Sequence, residues 1–212
     1  MIEHVYRRAS QAAVDAVIVA TDDQRIVDAV ESFGGLACLT RADHATGTDR
    51  LAELVQRLPC AIVVNVQGDE PFIDPAAIDA LVEPLRRDAA EQMTTLCRPL
   101  LADEDVSSPH LVKVVRDRFG RALYFSRAVI PCPRTGLGAP PAVHIGVYAY
   151  RRATLLALAG LPPSPLERAE SLEQLRALEH GIAIRVIDSA YVSLSVDTPD
   201  DLERARRKVS LS

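Results

Sequence analysis

The stretch Ala61-Ile62-Val63-Val64-Asn65-Val66-Gln67-Gly68-Asp69-Glu70-Pro71 decides how this chain is organised. Residues 61–66 form a largely apolar run with the length of a buried strand. The run ends in a glycine turn that presents two carboxylates before a proline. In an open α/β sheet, ligands bind outside the carboxyl ends of the strands. The stretch therefore predicts a strand that leads into a ligand-binding loop.

A second acidic loop lies far downstream, at Val196-Asp197-Thr198-Pro199-Asp200. Carboxylate oxygens suit a Mg²⁺ ion that also binds a substrate phosphate. Because each loop follows a strand-like segment, Asp69 and Asp197 are candidates for one divided metal site. The alternative is that both loops are surface turns that cap helices, since Asp before Pro is a common helix start.

Strand-like and helical segments alternate in the first part of the chain, which indicates βαβ units and a largely parallel sheet. The sequence predicts strands at 16–20, 36–39 and 61–66, and helices at 1–12, 21–33, 48–58 and 75–87.

The middle of the chain has strand-like runs with short connections, which indicates an antiparallel part of the sheet or an excursion from it. A proline-rich loop then precedes a further strand, two helices, a strand and a last helix. The runs lie at 93–97, 112–115 and 121–125, the loop at 131–141, the later strands at 144–150 and 182–187, and the helices at 153–159, 167–180 and 199–209.

Length and composition limit the possible classes of protein. The chain has 212 residues, enough for a single domain with a full core. A net charge of -5 and 4% aromatic residues argue against a nucleic-acid surface. No apolar run reaches the length of a membrane span, and no signal peptide is visible, so we expect a cytoplasmic protein. Four widely spaced cysteines are typical of core residues in a reducing cytosol.

The chain has neither a Walker A nor a GxGxxG sequence, and its motifs resemble a different family. That family is 3-deoxy-manno-octulosonate cytidylyltransferase, also called CMP-Kdo synthetase. The matching segments keep the family's order over almost the whole chain. They are 19–22 (VATD), 40–44 (TRADH), 47–50 (GTDR), 65–71 (NVQGDEP), 112–115 (VKVV), 122–128 (ALYFSRA), 144–148 (HIGVY), 164–167 (SPLE), 172–176 (LEQLR) and 196–199 (VDTP).

The resemblance implies an α/β fold, a Rossmann-like nucleotidyltransferase three-layer sandwich with a mixed sheet. It implies transfer of CMP from CTP to the sugar acid Kdo with release of pyrophosphate, for lipopolysaccharide synthesis, in a homodimer. It also implies that Asp69 and Asp197 bind Mg²⁺, in agreement with the two acidic loops. An ion there would offset the triphosphate charge and polarise the attacking oxygen.

Further site residues are implied by the resemblance, each with a simpler structural alternative. Arg127 could grip the Kdo carboxylate through its planar fork, or form only a surface ion pair. His144 and Tyr148 are four apart on a strand and share a face. The remaining sugar candidates are Gln67, beside the metal loop, and Glu167, Glu170 and Gln174, at helical spacing on one side of the predicted helix 167–180.

The resemblance places Thr46, Gly47 and Thr48 at the cytidine. These residues open a helix, where backbone N–H groups suit a base edge or a phosphate.

One family element does not occur in the 212 residues. The family opens with a strand and a basic loop whose Arg and Lys hold the triphosphate, whereas this sequence opens on a helix. We expect a truncated sequence or a misassigned start, because the other site residues of the family are present; the alternative is a protein that has lost the loop. For the chain of 212 residues we expect very slow turnover. Two alternatives remain open from the sequence: a cytidylyltransferase for 8-amino-Kdo, and a non-catalytic fragment.

Overall fold

A computed structural model of the chain describes residues 1–132, 134, 140–196 and 198–210, without the side chains of 209 and 210. Helices and strands alternate in the first part, as the sequence predicts. The helices are α1 (Ile2–Ala9), α2 (Gln24–Ser32), α3 (Gly47–Gln56), α4 (Pro75–Arg87), α5 (Arg152–Ala159), α6 (Pro165–Glu170), α7 (Gln174–Glu179) and α8 (Pro199–Ser210). The strands are β1 (Ile18–Thr21), β2 (Leu36–Leu39), β3 (Ile62–Asn65), β4 (Met93–Pro99), β5 (Lys113–Arg116), β6 (Ala122–Ser126), β7 (Ala142–Arg151) and β8 (Ile184–Asp188).

The chain divides into two compact units. Unit 1 comprises Met1–Pro59, Asn65–Asp79 and Tyr191–Ser212, and unit 2 comprises Cys60–Val64 and Ala80–Ala190. The single cytidylyltransferase domain over 1–212 stays a prediction.

Unit 1 is built around the parallel pair β1–β2, in register from Ile18 opposite Leu36 to Thr21 opposite Leu39. Helix α2 connects the two strands and is followed by Gly34, whose φ of +80° is accessible mainly to glycine. A Cβ on the next residue, Gly35, would lie within 2.7 Å of side-chain atoms of helix α2 and its C-cap. These two glycines therefore let the chain turn tightly from helix into strand.

Unit 2 contains a mixed sheet in the order β6-β5-β7-β4-β8, with β3 also paired to β7. Strand β4 is antiparallel to β7 and parallel to β8, whereas β5 is antiparallel to both β6 and β7. The predicted antiparallel middle is thus confirmed. Leu96, Phe125, Leu175 and Ile184 are fully buried in this unit.

The prediction of one continuous helix over 167–180 was wrong. Two short helices, α6 and α7, replace it, and Ser171 between them is left-handed with φ 52° and ψ 50°. A left-handed residue cannot continue a right-handed helix, so the helical stripe that joined Glu167, Glu170 and Gln174 is interrupted.

The predicted loop 131–141 lies largely outside the described residues. No helix in the described ranges combines the length and the apolarity needed to cross a membrane.

Candidate active site

The start of helix α3 uses its threonine as a structural cap. Thr46 Oγ1 accepts the Asp49 N–H at 3.2 Å, and the Asp49 carboxylate accepts the Thr46 N–H at 3.2 Å. This reciprocal pair satisfies backbone N–H groups that have no hydrogen-bond acceptor within the helix. Gly47 lies close to Gln67, because a Cβ on the glycine would be 3.8 Å from Gln67 Nε2. The predicted nucleotide segment and the glycine turn after β3 are therefore neighbours, with Thr48 buried behind them.

Arg50 joins the loops that follow β1 and β2. Its guanidinium donates to Thr40 Oγ1 at 2.6 Å and lies 3.1 Å from the Asp22 carboxylate. A second pair, His44 Nε2 and a Glu53 carboxylate oxygen at 2.5 Å, holds the loop after β2 on helix α3. These contacts fix the loops at the carboxyl ends of both strands, the location at which α/β sheets bind ligands.

The two acidic loops meet in unit 1. The Val196 N–H donates to the Asp69 carbonyl at 3.0 Å, which places the residue before Asp197 directly beside Asp69. Asp197 itself lies outside the described residues, so the arrangement of the two carboxylates stays a prediction.

A site with one or two carboxylates would suit Mg²⁺ bound together with a triphosphate. The described residues contain no group of three or more His, Cys, Asp or Glu side chains able to hold a metal by themselves. Mg²⁺ commonly uses one or two carboxylates together with substrate phosphate oxygens and water. Asp69 and Asp197 would supply the one or two carboxylate ligands.

Glu70 has a different environment from its neighbour Asp69. Its carboxylate is buried and accepts hydrogen bonds from the Tyr191 hydroxyl at 2.7 Å and from Ser193 Oγ. Glu70 therefore holds a distant segment of unit 1 in place, a contact that the sequence alone did not indicate.

In unit 2 the predicted pair His144 and Tyr148 is in contact, with ring centroids 5.5 Å apart. His144 also packs edge-on against Phe125, at 4.9 Å, and its Nε2 lies 2.9 Å from Thr95 Oγ1. Burial lowers the His144 pKa to about 3, so the imidazole is neutral near pH 7. Burial also raises the Tyr148 pKa, which keeps the phenol protonated. The pair offers neutral hydrogen-bonding groups suited to sugar hydroxyls.

The neutral state of His144 predicts a pH dependence of stability. In the unfolded chain a histidine has a pKa of about 6.5, well above the pKa of His144 in the folded protein. A lowered histidine pKa gives stability that is complete above the unfolded pKa and falls as the pH drops toward the folded one. We expect wild type to lose more stability than His144→Asn between pH 7 and 5, measured by urea unfolding. Parallel losses would contradict the assignment.

The three candidates from the predicted helix 167–180 lie in different surroundings. Glu167 forms a double hydrogen bond with the buried Arg176, at 2.7 Å and 2.5 Å, and this guanidinium lowers its carboxyl pKa. Gln174 is 5% exposed, and its Nε2 has no hydrogen-bond partner among the described residues. A buried amide is costly without a partner, so Gln174 is the candidate best suited to contact a ligand.

Arg127 and Glu170 form a network with Lys113. Arg127 donates to the carbonyls of Pro109, Glu170 and Ser171, at 2.8, 2.8 and 3.2 Å. The Glu170 carboxylate accepts from the Arg127 N–H at 2.9 Å and from a serine hydroxyl of β6 at 2.6 Å. Burial would raise the Glu170 pKa, but these hydrogen bonds outweigh it and the pKa is lowered. Three of the five guanidinium donors are thus engaged, and the role of Arg127 at a carboxylate stays a prediction.

Sequence reasoning missed Lys113 and Glu173. Lys113 is fully buried, and its ammonium donates to the carbonyls of Leu111, Arg127 and Ser108 at 2.6, 2.5 and 3.1 Å. Glu173 lies near enough to Tyr148 for its charge to add to the rise of the phenol pKa. The charged residue in the apolar run 112–115 was the available signal for Lys113, whereas nothing local distinguished Glu173.

Comparisons with known proteins identify the family. The profile of the family described as Cytidylyltransferase matches residues 1–184. A 3-deoxy-manno-octulosonate cytidylyltransferase of Syntrophotalea carbinolica is 58% identical, over 96% of this chain and 86% of the relative. One of the same name from Geobacter metallireducens is 49% identical, over 99% of this chain and 87% of the relative.

A solved structure gives the same result for the fold. A CMP:2-keto-3-deoxy-manno-octonic acid synthetase complexed with CTP superposes with a TM-score of 0.95 at 46% identity, over 99% of this chain and 87% of the other. A glucose-1-phosphate thymidylyltransferase described as putative, from Bacillus anthracis, has a TM-score of 0.66 at 16% identity, over 98% of this chain and 81% of the other, and shares the fold alone.

Proposed function

The chain belongs to the 3-deoxy-manno-octulosonate cytidylyltransferase family, and we propose that it transfers CMP from CTP to Kdo. The observation that carries the proposal is the 58% identity over 96% of the chain. The contact between the two acidic loops supports it, because it occurs where the chemistry requires a metal site.

The reaction requires one bond to form and one to break. The anomeric hydroxyl oxygen of Kdo attacks the α-phosphorus of CTP, and the bond from that phosphorus to the oxygen bridging to the β-phosphorus breaks. The hydroxyl proton passes to solvent, and pyrophosphate leaves. When bound, Mg²⁺ would screen the triphosphate charge and polarise the attacking oxygen.

The protein's own residues contribute mainly by binding and orientation. We propose that Asp69 and Asp197 hold the metal and that the segment Thr46–Thr48 binds the cytidine phosphate. His144, Tyr148 and Gln174, all in unit 2, would hydrogen-bond the sugar acid. A histidine with a pKa of about 3 is a weak base, so His144 orients the hydroxyl instead of removing its proton.

Pyrophosphate release tests this function. We expect release that requires CTP, Mg²⁺ and Kdo together, with little release when UTP replaces CTP. Kdo and its 8-amino analogue should be compared at equal concentrations, because both carry the same carboxylate. Calorimetric titration of CTP and Kdo separately would detect binding even where turnover is slow. Binding of neither substrate would contradict the proposal.

Arg127→Lys provides a test within the sugar half of the site. Lysine presents a single ammonium and cannot satisfy several carbonyls or a planar carboxylate as guanidinium does. We expect the Kdo KM to rise at least about tenfold, the loss typical of one charged hydrogen bond, with the CTP KM within twofold. Steady-state kinetics with each substrate varied in turn would measure this. Equal losses for both substrates would reject a role specific to the sugar acid.

Assembly, location and pathway are part of the proposal. We propose a homodimer in the cytoplasm that supplies CMP-Kdo for lipopolysaccharide synthesis, on the basis of the family resemblance. Light scattering of the purified protein tests the dimer, and a mass near that of one 23.0 kDa chain would reject it.

A further inference from the structure

One buried carboxylate connects two segments that are far apart in the sequence. Glu70 is 8% exposed and accepts from Tyr191, which is 121 residues away, and from Ser193. Tyr191 is itself 7% exposed. Removing a carboxylate from water costs several kcal/mol unless hydrogen bonds compensate. The two hydroxyl donors therefore stabilise the position of the segment Tyr191–Val196 beside Glu70.

The backbone beside Glu70 makes a third connection to the same segment. The Asp69 carbonyl accepts the Val196 N–H at 3.0 Å. Two consecutive residues after β3 thus hold three positions of the segment Tyr191–Val196, and this segment leads directly into Asp197.

Glu70 is poorly placed to serve as a metal ligand. Oε2 accepts from Tyr191 and Oε1 accepts from Ser193, so both oxygens are engaged within the protein. Its neighbour Asp69 is only half-buried. The Glu70 carboxylate is therefore occupied in holding the protein's own segments together.

We propose that Glu70 is a positioning residue, which holds the segment Tyr191–Val196, the stretch directly before Asp197 in the sequence, against the loop that carries Asp69. The inference rests on the proposed function in one respect, namely that Asp69 and Asp197 bind the metal. Residues that orient metal ligands in this way typically contribute about 10- to 100-fold to metal affinity.

The test combines a metal-binding measurement with a local one. Mn²⁺ replaces Mg²⁺ so that affinity can be measured by electron paramagnetic resonance, and amide exchange of Val196 is followed by NMR without metal. The variants are Glu70→Ala and, with a smaller change of volume, Tyr191→Phe. Glu91→Ala is the matched control, because Glu91 is a buried glutamate paired with Arg185 in unit 2.

We expect Glu70→Ala to weaken Mn²⁺ binding at least about tenfold and to accelerate exchange at Val196, with a smaller change in the same direction for Tyr191→Phe. Glu91→Ala should leave both measurements within twofold of wild type. If Glu70→Ala does not fold, the measurements on Tyr191→Phe test the positioning role. Wild-type exchange and affinity in the folded variants would overturn the proposal.

The two readouts separate the positioning role from the metal assignment. If wild type binds no Mn²⁺, the metal assignment fails, and exchange alone decides the positioning role. Faster exchange at Val196 in Tyr191→Phe would then uphold it, and unchanged exchange would overturn it.

Discussion

Replacing Asp69 by asparagine should reduce CMP transfer by at least about a hundredfold and remove most of the affinity for Mn²⁺. Asparagine keeps the size of the side chain but loses the negative charge that a hard divalent cation needs. Without the cation, charge on the departing pyrophosphate is not offset, and loss of one such electrostatic contact typically costs about 10²–10³ in rate. Pyrophosphate release and Mn²⁺ titration measure the two effects.

The control for this prediction is Asp15→Asn, which makes the same change of charge at an exposed position of unit 1. It should leave both measurements near wild type. An Asp69→Asn protein that binds Mn²⁺ as wild type does would show that the metal is held elsewhere. Because the metal measurement needs no turnover, it is informative even for a slow enzyme.

The sequence was sufficient to predict the strand and loop that carry Asp69. The apolar run and the glycine turn are local features, and local features determine where a buried strand ends. The parallel β1–β2 pair and the antiparallel strands around β7 also followed from the spacing of apolar runs. The family motifs then implied site residues that local pattern alone could not distinguish from caps and surface charges, and these assignments stay predictions.

The sequence did not predict features that depend on contacts between distant segments. The break at Ser171 occurs in a stretch whose apolar residues continue at helical spacing, and serine gives no strong signal for a left-handed conformation. The bond from Tyr191 to Glu70 spans 121 residues. A lysine ordinarily keeps its ammonium in water, yet that of Lys113 donates to three carbonyls, two from the loop before β5 and one from the residue after β6.

The largest stability effect is expected from Arg176→Met. The Arg176 side chain is 3% exposed and forms a double hydrogen bond with Glu167, whose side chain is 11% exposed. Removing the guanidinium leaves a buried carboxylate without its cation, and breaking one partner of such a pair typically costs about 3–5 kcal/mol. For a chain of this size we expect the Tm to fall by roughly 6–20 °C in calorimetry.

The exposed pair Arg206–Glu203 provides the matched comparison, because its side chains are 66% and 59% exposed. Arg206→Met should change stability by less than about 1 kcal/mol, since solvent screens such pairs. Adding Glu167→Met to Arg176→Met should restore part of the loss, because the unpaired charge is then gone. The loss of unfolding free energy in the double variant should be compared with the sum of the losses in Arg176→Met and Glu167→Met. If the two are equal, the side chains do not act as a pair. The junction between α6 and α7 would then depend on the Arg127 contacts to the Glu170 and Ser171 carbonyls.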